Sequence, residues 1–150
     1  MLGGARMIRT AKAEDLTAIT ELALLLWPDH EWNELKEEMA EILSDKNAVF
    51  FLALTDGAPV GFAQCQIRFD YVEGTRSSPV GYLEGIFVDE KQRNKGIAKE
   101  LLRCCESWSK ENGCTEFASD CELDNTDSLQ FHLKTGFEEA NRIICFRKGL

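Results

Sequence analysis

The sequence predicts a single mixed α/β domain. The chain has 150 residues, of which 44% are hydrophobic and 29% charged, as in ordinary globular proteins. Apolar residues recur with helical spacing in some segments and as strand-like runs in others. A strand–helix–strand unit follows a run of antiparallel strands. About one domain fits this length, and such a domain buries a sizeable core without disulfides or metals. We expect the domain to span residues 7–150 and residues 1–6 to form a flexible leader.

The first part of the domain is predicted to contain one strand and two helices. The strand covers Met7–Thr10. Apolar residues at helical spacing predict the first helix over Glu14–Leu26, and it ends there because the residue before Pro28 disfavours the α conformation. A second apolar stripe predicts a helix over Glu31–Leu43, with a solvated Glu-rich face.

A predicted hairpin and a third strand follow. The apolar run Ala48–Thr55 and the return strand Val60–Phe69 flank Asp-Gly, which is a hairpin turn signal. A polar loop over Asp70–Pro79 leads to a buried strand over Tyr82–Val88.

The carboxyl-terminal part is predicted to form a strand–helix–strand unit. Its helix covers Ile97–Asn112 and is capped by Gly113, since glycine tolerates the left-handed conformation. The next strand, Phe117–Cys121, should run parallel to Tyr82–Val88, because a helical crossover joins parallel strands. The remaining predicted elements are a shorter helix and two closing strands: Asn125–Thr135, Phe137 and Ile143–Arg147.

Charge and cysteine usage exclude several classes of protein. Lys and Arg number 17 against 26 Asp and Glu, a net charge of −9. This acidity argues against nucleic-acid binding and favours a small cationic partner. The six cysteines form no C-x-x-C pair and only two histidines are present, so we expect no metal. Without a signal peptide or an apolar run of membrane-spanning length, the sequence is typical of a cytoplasmic protein with buried, reduced cysteines.

One motif carries a specific chemistry. A buried strand runs into a basic turn that opens a helix, with the pattern R-x-x-G-x-A at Arg93, Gly96 and Ala98. Unpaired N–H groups at a helix N-terminus bind phosphates, and glycine allows their close approach. The same pattern alone also fits a basic turn that caps a surface helix. The spacing differs from that of a P-loop and from G-x-G-x-x-G.

With its flanking strand and helix, this motif resembles the acetyl-CoA motif of the Gcn5-related N-acetyltransferase (GNAT) superfamily. The segment from Asn125 to Gly136-Phe137 resembles the last block of that superfamily. Further segments, in the same order, resemble the aminoglycoside 6'-N-acetyltransferases. Those segments are Leu26–His30, Asp70–Gly74, Ser77–Pro79, Leu83–Val88 and Ala118–Asp120. The resemblance covers about Met7 to Lys148 and implies a mixed central sheet flanked by helices.

The resemblance also implies how acetyl-CoA binds. The cofactor would lie in a V-shaped opening between two parallel strands. The strand backbone would pair with the pantetheine arm, the turn would hold the pyrophosphate, and an asparagine beyond the second strand would contact the cofactor. These residues are Ile86, Phe87, Val88, Asn94, Lys95, Gly96, Ile97, Ala98, Lys99 and Asn125.

Matching positions imply an acceptor pocket for a polycationic amine. Its residues are Trp27, His30, Tyr71, Glu84 and Asp120. Glu84 interrupts an apolar strand, where a carboxylate is costly unless it is paired or functional. It would bind the reactive ammonium and could take its proton. Asp120 ends the neighbouring parallel strand, where ligands usually bind.

Each of these residues also has a structural explanation. Glu84 could face outward on an alternating strand, and Asp120 could cap the following turn. Trp27 could be core packing at a helix end. His30 fits a surface histidine as well as a contact to an acceptor hydroxyl. Tyr71, in a polar loop, is less easily explained as core.

His132 stands where many superfamily members carry a tyrosine that protonates the departing thiolate. Histidine can donate a proton near neutral pH, so a general-acid role is one interpretation, and a helix-surface position is the other. Asn141 stands where we expect an acidic substrate contact in close relatives. This departure affects the expected acceptor range more than the expected activity.

The function that the sequence predicts is acetyl transfer from acetyl-CoA to the 6'-amine of aminoglycosides, by direct attack in a ternary complex. Two alternatives stay open: a GNAT enzyme for a polyamine, peptide or metabolite amine, and a non-catalytic binder of cations or acetyl-CoA. Because relatives often pack their closing strands together, the resemblance also implies a homodimer.

Overall fold

A computed structural model of the chain describes residues 4–150, in which a five-stranded sheet carries helices on both faces. The strands are β1 (Arg6–Thr10), β2 (Ala48–Thr55), β3 (Ala58–Arg68), β4 (Val80–Val88) and β5 (Phe117–Ser119). The helices are α1 (Leu16–Leu26), α2 (Trp32–Ser44), α3 (Ile97–Glu111) and α4 (Thr126–Lys134).

The strand order in the sheet is β1-β2-β3-β4-β5. The first four strands are antiparallel to their neighbours, whereas β5 runs parallel to β4. Helix α3 makes the crossover between these two, so the predicted strand–helix–strand unit is confirmed. The predicted hairpin is confirmed too: Asp56 and Gly57 connect β2 to β3, and both have positive φ, as a two-residue turn of this kind requires.

The sheet has an apolar core on each face, because alternate residues of a strand point to opposite sides. On β2, Phe50 and Leu52 pack under α1 and α2. Their neighbours Phe51 and Ala53 pack with Leu101 and other residues of α3. This two-sided burial explains why β2 reads as a continuous apolar run rather than an alternating pattern.

The amino-terminal boundary differs from the prediction. Residues 1–3 of the predicted leader lie outside the described residues. Arg6, which the prediction placed in the leader, is the first residue of β1 and pairs with Thr55. Its guanidinium donates to the Lys95 carbonyl at 2.6 Å and to Glu100. Arg6 therefore belongs to the folded domain.

The predicted closing strands are wrong for this chain. Residues 137–150 form no helix or strand, so neither Phe137 nor Ile143–Arg147 lies in one. The second segment exposes its apolar side chains, with Phe146 91% exposed. Within residues 4–150, β5 has a strand partner on one side only. An apolar segment forms a strand only where it pairs in register with a sheet edge. In the part of the chain that the structure describes, the tail does not pair with the open edge of β5.

The cysteines are all free. Cys65, Cys105 and Cys114 are buried as predicted, but Cys121 and Cys145 are exposed, so the predicted burial is wrong for those two. No helix within residues 4–150 is long and apolar enough to span a membrane.

Candidate active site

The centre of the candidate site is an irregularity in β4. Gln64 on β3 pairs with Gly85, but the next residue of β3 pairs with Leu83. Glu84 therefore has no partner on β3 and forms a β-bulge, a device that re-aims a side chain and often lies beside an active site. The pairing of β4 with β5 ends at the same level, at Leu83 and Ser119. Glu84 and Asp120 are thus the first residues beyond the paired part of the two parallel strands.

Glu84 is held by a partner that the sequence analysis missed. The Arg68 guanidinium donates from Nε to Oε2 at 3.0 Å and from Nη2 to Oε1 at 2.8 Å. The Glu84 side chain is only 19% exposed, so the carboxylate is both paired and largely buried. This arrangement excludes the reading of Glu84 as a freely solvated outward residue.

Asp120 is connected to the same group of side chains. The Tyr82 hydroxyl donates a hydrogen bond to its carboxylate, and the Arg68 guanidinium lies 3.5 Å from the centre of the Tyr82 ring. Burial raises the pKa of the Tyr82 hydroxyl, and the hydrogen bond to Asp120 raises it further. Tyr82 therefore stays a neutral donor. Two carboxylates, one guanidinium and one phenol form a continuous network.

A cleft of about 240 Å³ opens beside Glu84. It is lined by Trp27, His30, Leu35, Glu38, Met39, Gln64 and Glu84. Two of the predicted acceptor residues, Trp27 and His30, thus come together with Glu84 from a distant part of the chain. Tyr71 does not line this cleft, and its side chain is 77% exposed on the loop before β4.

The Trp27 ring forms a wall of the cleft because Gly85 leaves room for it. A Cβ on Gly85 would lie 2.6 Å from Trp27 Cζ2. The ring also packs edge-on against Phe62, with centroids 6.1 Å apart. His30 is exposed at the cleft entrance, with Nδ1 3.3 Å from the Trp27 carbonyl oxygen.

Two further cleft residues, Gln64 and Glu38, were not predicted. Gln64 is only 7% exposed, and its Oε1 is buried without a hydrogen-bond partner. A buried amide oxygen without a partner is costly, so Gln64 Oε1 is available to accept a hydrogen bond from a group in the cleft. The polar Gln64 within the apolar β3 run was the available signal. Glu38, on the Glu-rich face of α2, gave no signal that distinguishes it from solvated glutamates.

His132 lies beneath the end of β5 and not on an open helix surface. Its Nδ1 is 2.7 Å from the Ser128 carbonyl oxygen, which only accepts hydrogen bonds, so Nδ1 carries a proton. Its Nε2 is 2.8 Å from the Ser119 hydroxyl. Ser119 in turn contacts the Leu83 carbonyl at 3.2 Å. This geometry connects His132 to the point where β4 and β5 part.

The turn before α3 has the conformation expected of a phosphate cradle. Asn94 and Gly96 both have positive φ, and α3 begins at Ile97. The first N–H groups of such a helix are free of intrahelical partners. The conformation of the turn, rather than crowding, requires glycine at position 96, since a Cβ there would meet only Arg6 Nη1, at 4.0 Å.

Two arginines brace this turn. Arg6 donates to the Lys95 carbonyl, as described above. Arg93 Nε donates to the Val88 carbonyl at 2.8 Å, and its guanidinium lies 5.6 Å from the Phe87 ring centre. Arg93 therefore contributes to the shape of the turn as well as to its charge. Asn125, predicted to contact the cofactor, caps α4 by accepting from the Ser128 N–H at 3.1 Å.

Comparison with known families defines the class of protein. Residues 17–137 match the acetyltransferase (GNAT) family. The chain belongs to this family.

Two curated relatives show which members of this family the chain resembles. The chain is 40% identical to aminoglycoside N(6')-acetyltransferase type 1 of Stenotrophomonas maltophilia, over 100% of this chain and 97% of that protein. It is 42% identical to the enzyme of the same name from Acinetobacter haemolyticus, over 95% of this chain and 98% of that protein.

Solved structures agree with this similarity. A complex of AAC(6')-Iy with the bisubstrate analogue CoA-S-monomethyl-acetylneamine superposes with a TM-score of 0.94 at 39% identity, covering 98% of this chain and 100% of that one. AAC(6')-Ih from Acinetobacter baumannii superposes with a TM-score of 0.91 at 39% identity, covering 97% of this chain and 99% of that one.

No group of three or more His, Cys, Asp or Glu side chains within residues 4–150 is placed to hold a metal ion.

Proposed function

We propose that this chain transfers the acetyl group of acetyl-CoA to the 6'-amine of aminoglycosides and so confers resistance to them. The observation that carries the proposal is the position of the Glu84 bulge: an oriented, largely buried carboxylate where the two parallel strands part. Full-length similarity to named aminoglycoside 6'-N-acetyltransferases, one of them solved with a CoA–aminoglycoside analogue, supports the choice of both substrates.

Acetyl-CoA would bind across the end of β4 and the start of α3. The N–H groups of the turn from Asn94 to Lys99 would hold the pyrophosphate, with Gly96 supplying the left-handed conformation and the helix dipole favouring the negative charge. The backbone of Ile86–Val88 would pair with the pantetheine arm. This strand is free to do so because β5 is too short to pair with it, extending only to Ser119.

The acceptor would bind in the cleft beside the bulge. Two unit charges 4 Å apart attract by about 1 kcal/mol in water and about 4 kcal/mol at an effective dielectric of 20. A largely buried carboxylate such as Glu84 therefore binds an ammonium far better than an exposed one. Trp27 offers a flat apolar wall for a sugar face, and the cleft volume suits one ring of the acceptor rather than all of it.

Catalysis would consist chiefly of holding the two substrates together. The 6'-amine attacks the thioester carbonyl, and a C–N bond forms as the C–S bond breaks. Glu84 takes the amine proton, directly or through water, and CoA leaves as the thiolate. To protonate the thiolate, His132 would have to be doubly protonated, because Nδ1 keeps its proton on the Ser128 carbonyl. Its Nε2 proton would then pass to the Ser119 hydroxyl, and Ser119 would release its own proton to the sulfur.

A substitution at Glu84 tests the site. The Glu84→Ala variant removes the charge that binds the ammonium and leaves the α3 turn untouched. We expect kcat/KM for the acceptor to fall by about 10- to 100-fold, the effect of losing one charge-assisted hydrogen bond, while the affinity for acetyl-CoA changes little. Calorimetry measures the affinity for acetyl-CoA, and steady-state kinetics measure kcat/KM for the acceptor. Equal loss of both would contradict the placement of Glu84 in the acceptor site.

We also propose that the chain is a cytoplasmic homodimer. The exposed Ile143, Ile144 and Phe146 and the open edge of β5 offer apolar surface and unpaired backbone that a second copy could cover. Free cysteines and an acetyl-CoA substrate fit the cytoplasm. Analytical ultracentrifugation should give twice the chain mass, and Ile144→Glu should shift it toward the monomer. A monomeric wild type would refute the dimer.

A further inference from the structure

Arg68 occupies the space between the two carboxylates of the candidate acceptor site. It is the last residue of β3. The edge of its guanidinium donates two parallel hydrogen bonds to Glu84, at 2.8 and 3.0 Å. The face of the same group lies 3.5 Å from the centre of the Tyr82 ring, and the Tyr82 hydroxyl donates to Asp120. One side chain thus contacts Glu84 directly and reaches Asp120 through Tyr82.

The contacts of Arg68 fix the orientation of the Glu84 carboxylate and of the Tyr82 ring, in addition to balancing the charge of Glu84. A two-point contact between a planar guanidinium and a carboxylate leaves the carboxylate no freedom to rotate. Stacking on an aromatic face similarly fixes the plane of the ring. Glu84 lies on a bulge, where no cross-strand neighbour on β3 restrains it. Arg68 is therefore the restraint that the sheet itself does not provide.

The contact also leaves Glu84 able to bind a ligand. A carboxylate has about four lone-pair sites, and Arg68 uses one on each oxygen. The other two remain for an ammonium. In addition, the positive charge of Arg68 offsets the repulsion between Glu84 and Asp120, which would otherwise push the two carboxylates apart.

We infer that Arg68 is a positioning residue: it sets the orientation and spacing of Glu84 and Asp120 for the acceptor amine, without touching the substrates itself. The inference rests on the proposed function. The competing explanation is that the ion pair has no part in catalysis and contributes only to stability. Ion pairs near the surface commonly contribute about 0–1 kcal/mol in this way. The two explanations differ in what Arg68→Lys does, because lysine keeps the charge but cannot make the planar two-point contact.

The test is a kinetic comparison of Arg68→Lys and Arg68→Met with the wild-type protein, using acetyl-CoA and a 6'-amino aminoglycoside. A carboxylate misplaced by about 1 Å lowers turnover by up to about 100-fold. We expect both variants to lose about 10- to 100-fold in acceptor kcat/KM, with the KM for acetyl-CoA within about twofold of wild type. In a double-mutant cycle, adding Arg68→Met to Glu84→Gln should cost far less than it costs alone.

Arg9 and Asp15 provide a matched control. They also form a two-point contact, through Nη1 and Nη2 at 2.7 and 2.9 Å. Arg9 lies in β1, and neither residue lines the cleft. Arg9→Lys should lower the melting temperature as much as Arg68→Lys does, yet leave acceptor kcat/KM unchanged. Tyr82→Phe keeps the stacked ring but removes the donor to Asp120, so it should lose a smaller part of the acceptor kcat/KM.

The outcomes separate the inference from the proposed function. If Glu84→Gln lowers acceptor kcat/KM but Arg68→Lys does not, or if the double variant is additive, Arg68 has no positioning role. If Arg9→Lys and Arg68→Lys lower acceptor kcat/KM equally, the effect is general destabilisation and the inference fails. If Glu84→Gln itself has no effect on any acceptor, the proposed acceptor site is wrong, and the positioning role is overturned with it.

Discussion

Gly85→Ala probes the wall of the acceptor cleft without changing any charge. Gly85 lies in β4 next to the bulge and pairs with Gln64. Its φ is not in the left-handed region, so alanine brings no backbone strain of that kind. A Cβ built there lies 2.6 Å from Cζ2 and 2.7 Å from Cη2 of Trp27. Carbon atoms in contact are about 3.5–4.0 Å apart, so the ring must retreat by about 1 Å.

The direction of that retreat is constrained. Phe62, fully buried, packs against one side of the Trp27 ring, which leaves the cleft as the space available. Overpacking of this kind costs about 1–3 kcal/mol. We expect Gly85→Ala to lower the free energy of unfolding by about 2 kcal/mol and acceptor kcat/KM by about 10-fold or more, because the ring then intrudes on the acceptor.

Trp27→Phe supplies the internal control, since phenylalanine lacks the far ring atoms that meet the new methyl group. Urea unfolding and steady-state kinetics should show that Gly85→Ala costs less in the Trp27→Phe background than in the wild type. Strict additivity of the two substitutions, or wild-type stability for Gly85→Ala, would refute the contact between Gly85 and Trp27 on which the argument depends.

Three further predictions concern stability and cofactor binding. Gln64→Met removes a buried oxygen without a partner, so urea unfolding should show a gain on the order of 1 kcal/mol while acceptor kcat/KM falls; a loss of stability would count against this account. Gly96→Ala forces alanine into a positive φ at a cost of about 1–2 kcal/mol and should raise the KM for acetyl-CoA. Gly113→Ala, at a similar φ in open space, should cost the same stability and leave that KM unchanged. The Arg9 guanidinium, with further hydrogen bonds, holds the pKa of Asp15 at about 2, below its usual 3.8. Asp15→Asn should therefore cost about 1 kcal/mol above pH 4, and the difference from wild type should shrink below pH 4 and disappear once the pH has fallen through about 2.

The sequence predicts the elements of the fold well where local pattern and packing agree. The apolar runs of β2 and β4, the Asp-Gly turn and the α3 stripe all form as expected, because each has a local cause and a place in the core. The tail fails for the opposite reason. The apolar residues Ile143, Ile144 and Phe146 predicted a strand, but no strand within the described residues pairs with them.

The candidate site was predictable only in part. The resemblance implied Glu84 and Asp120, and each also has a local signal, a carboxylate that interrupts or ends an apolar strand; their roles stay predictions. Arg68 could not, since an arginine at the end of a strand is usual, and its contact with Glu84 depends on the bulge. The same holds for Ser119, which matters only because α4 places His132 against it. Contacts between elements far apart in sequence have no signal in a single sequence.

The most direct test of the account is release of the CoA thiol from acetyl-CoA with a panel of acceptors. The panel contains an aminoglycoside with a 6'-amine, a matched aminoglycoside with a 6'-hydroxyl, spermidine and a lysine peptide. The account predicts turnover with the 6'-amine and none with the other three. Turnover confined to spermidine or the peptide would contradict the proposed acceptor while retaining acetyl transfer. Binding of acetyl-CoA without turnover of any acceptor would contradict catalysis itself.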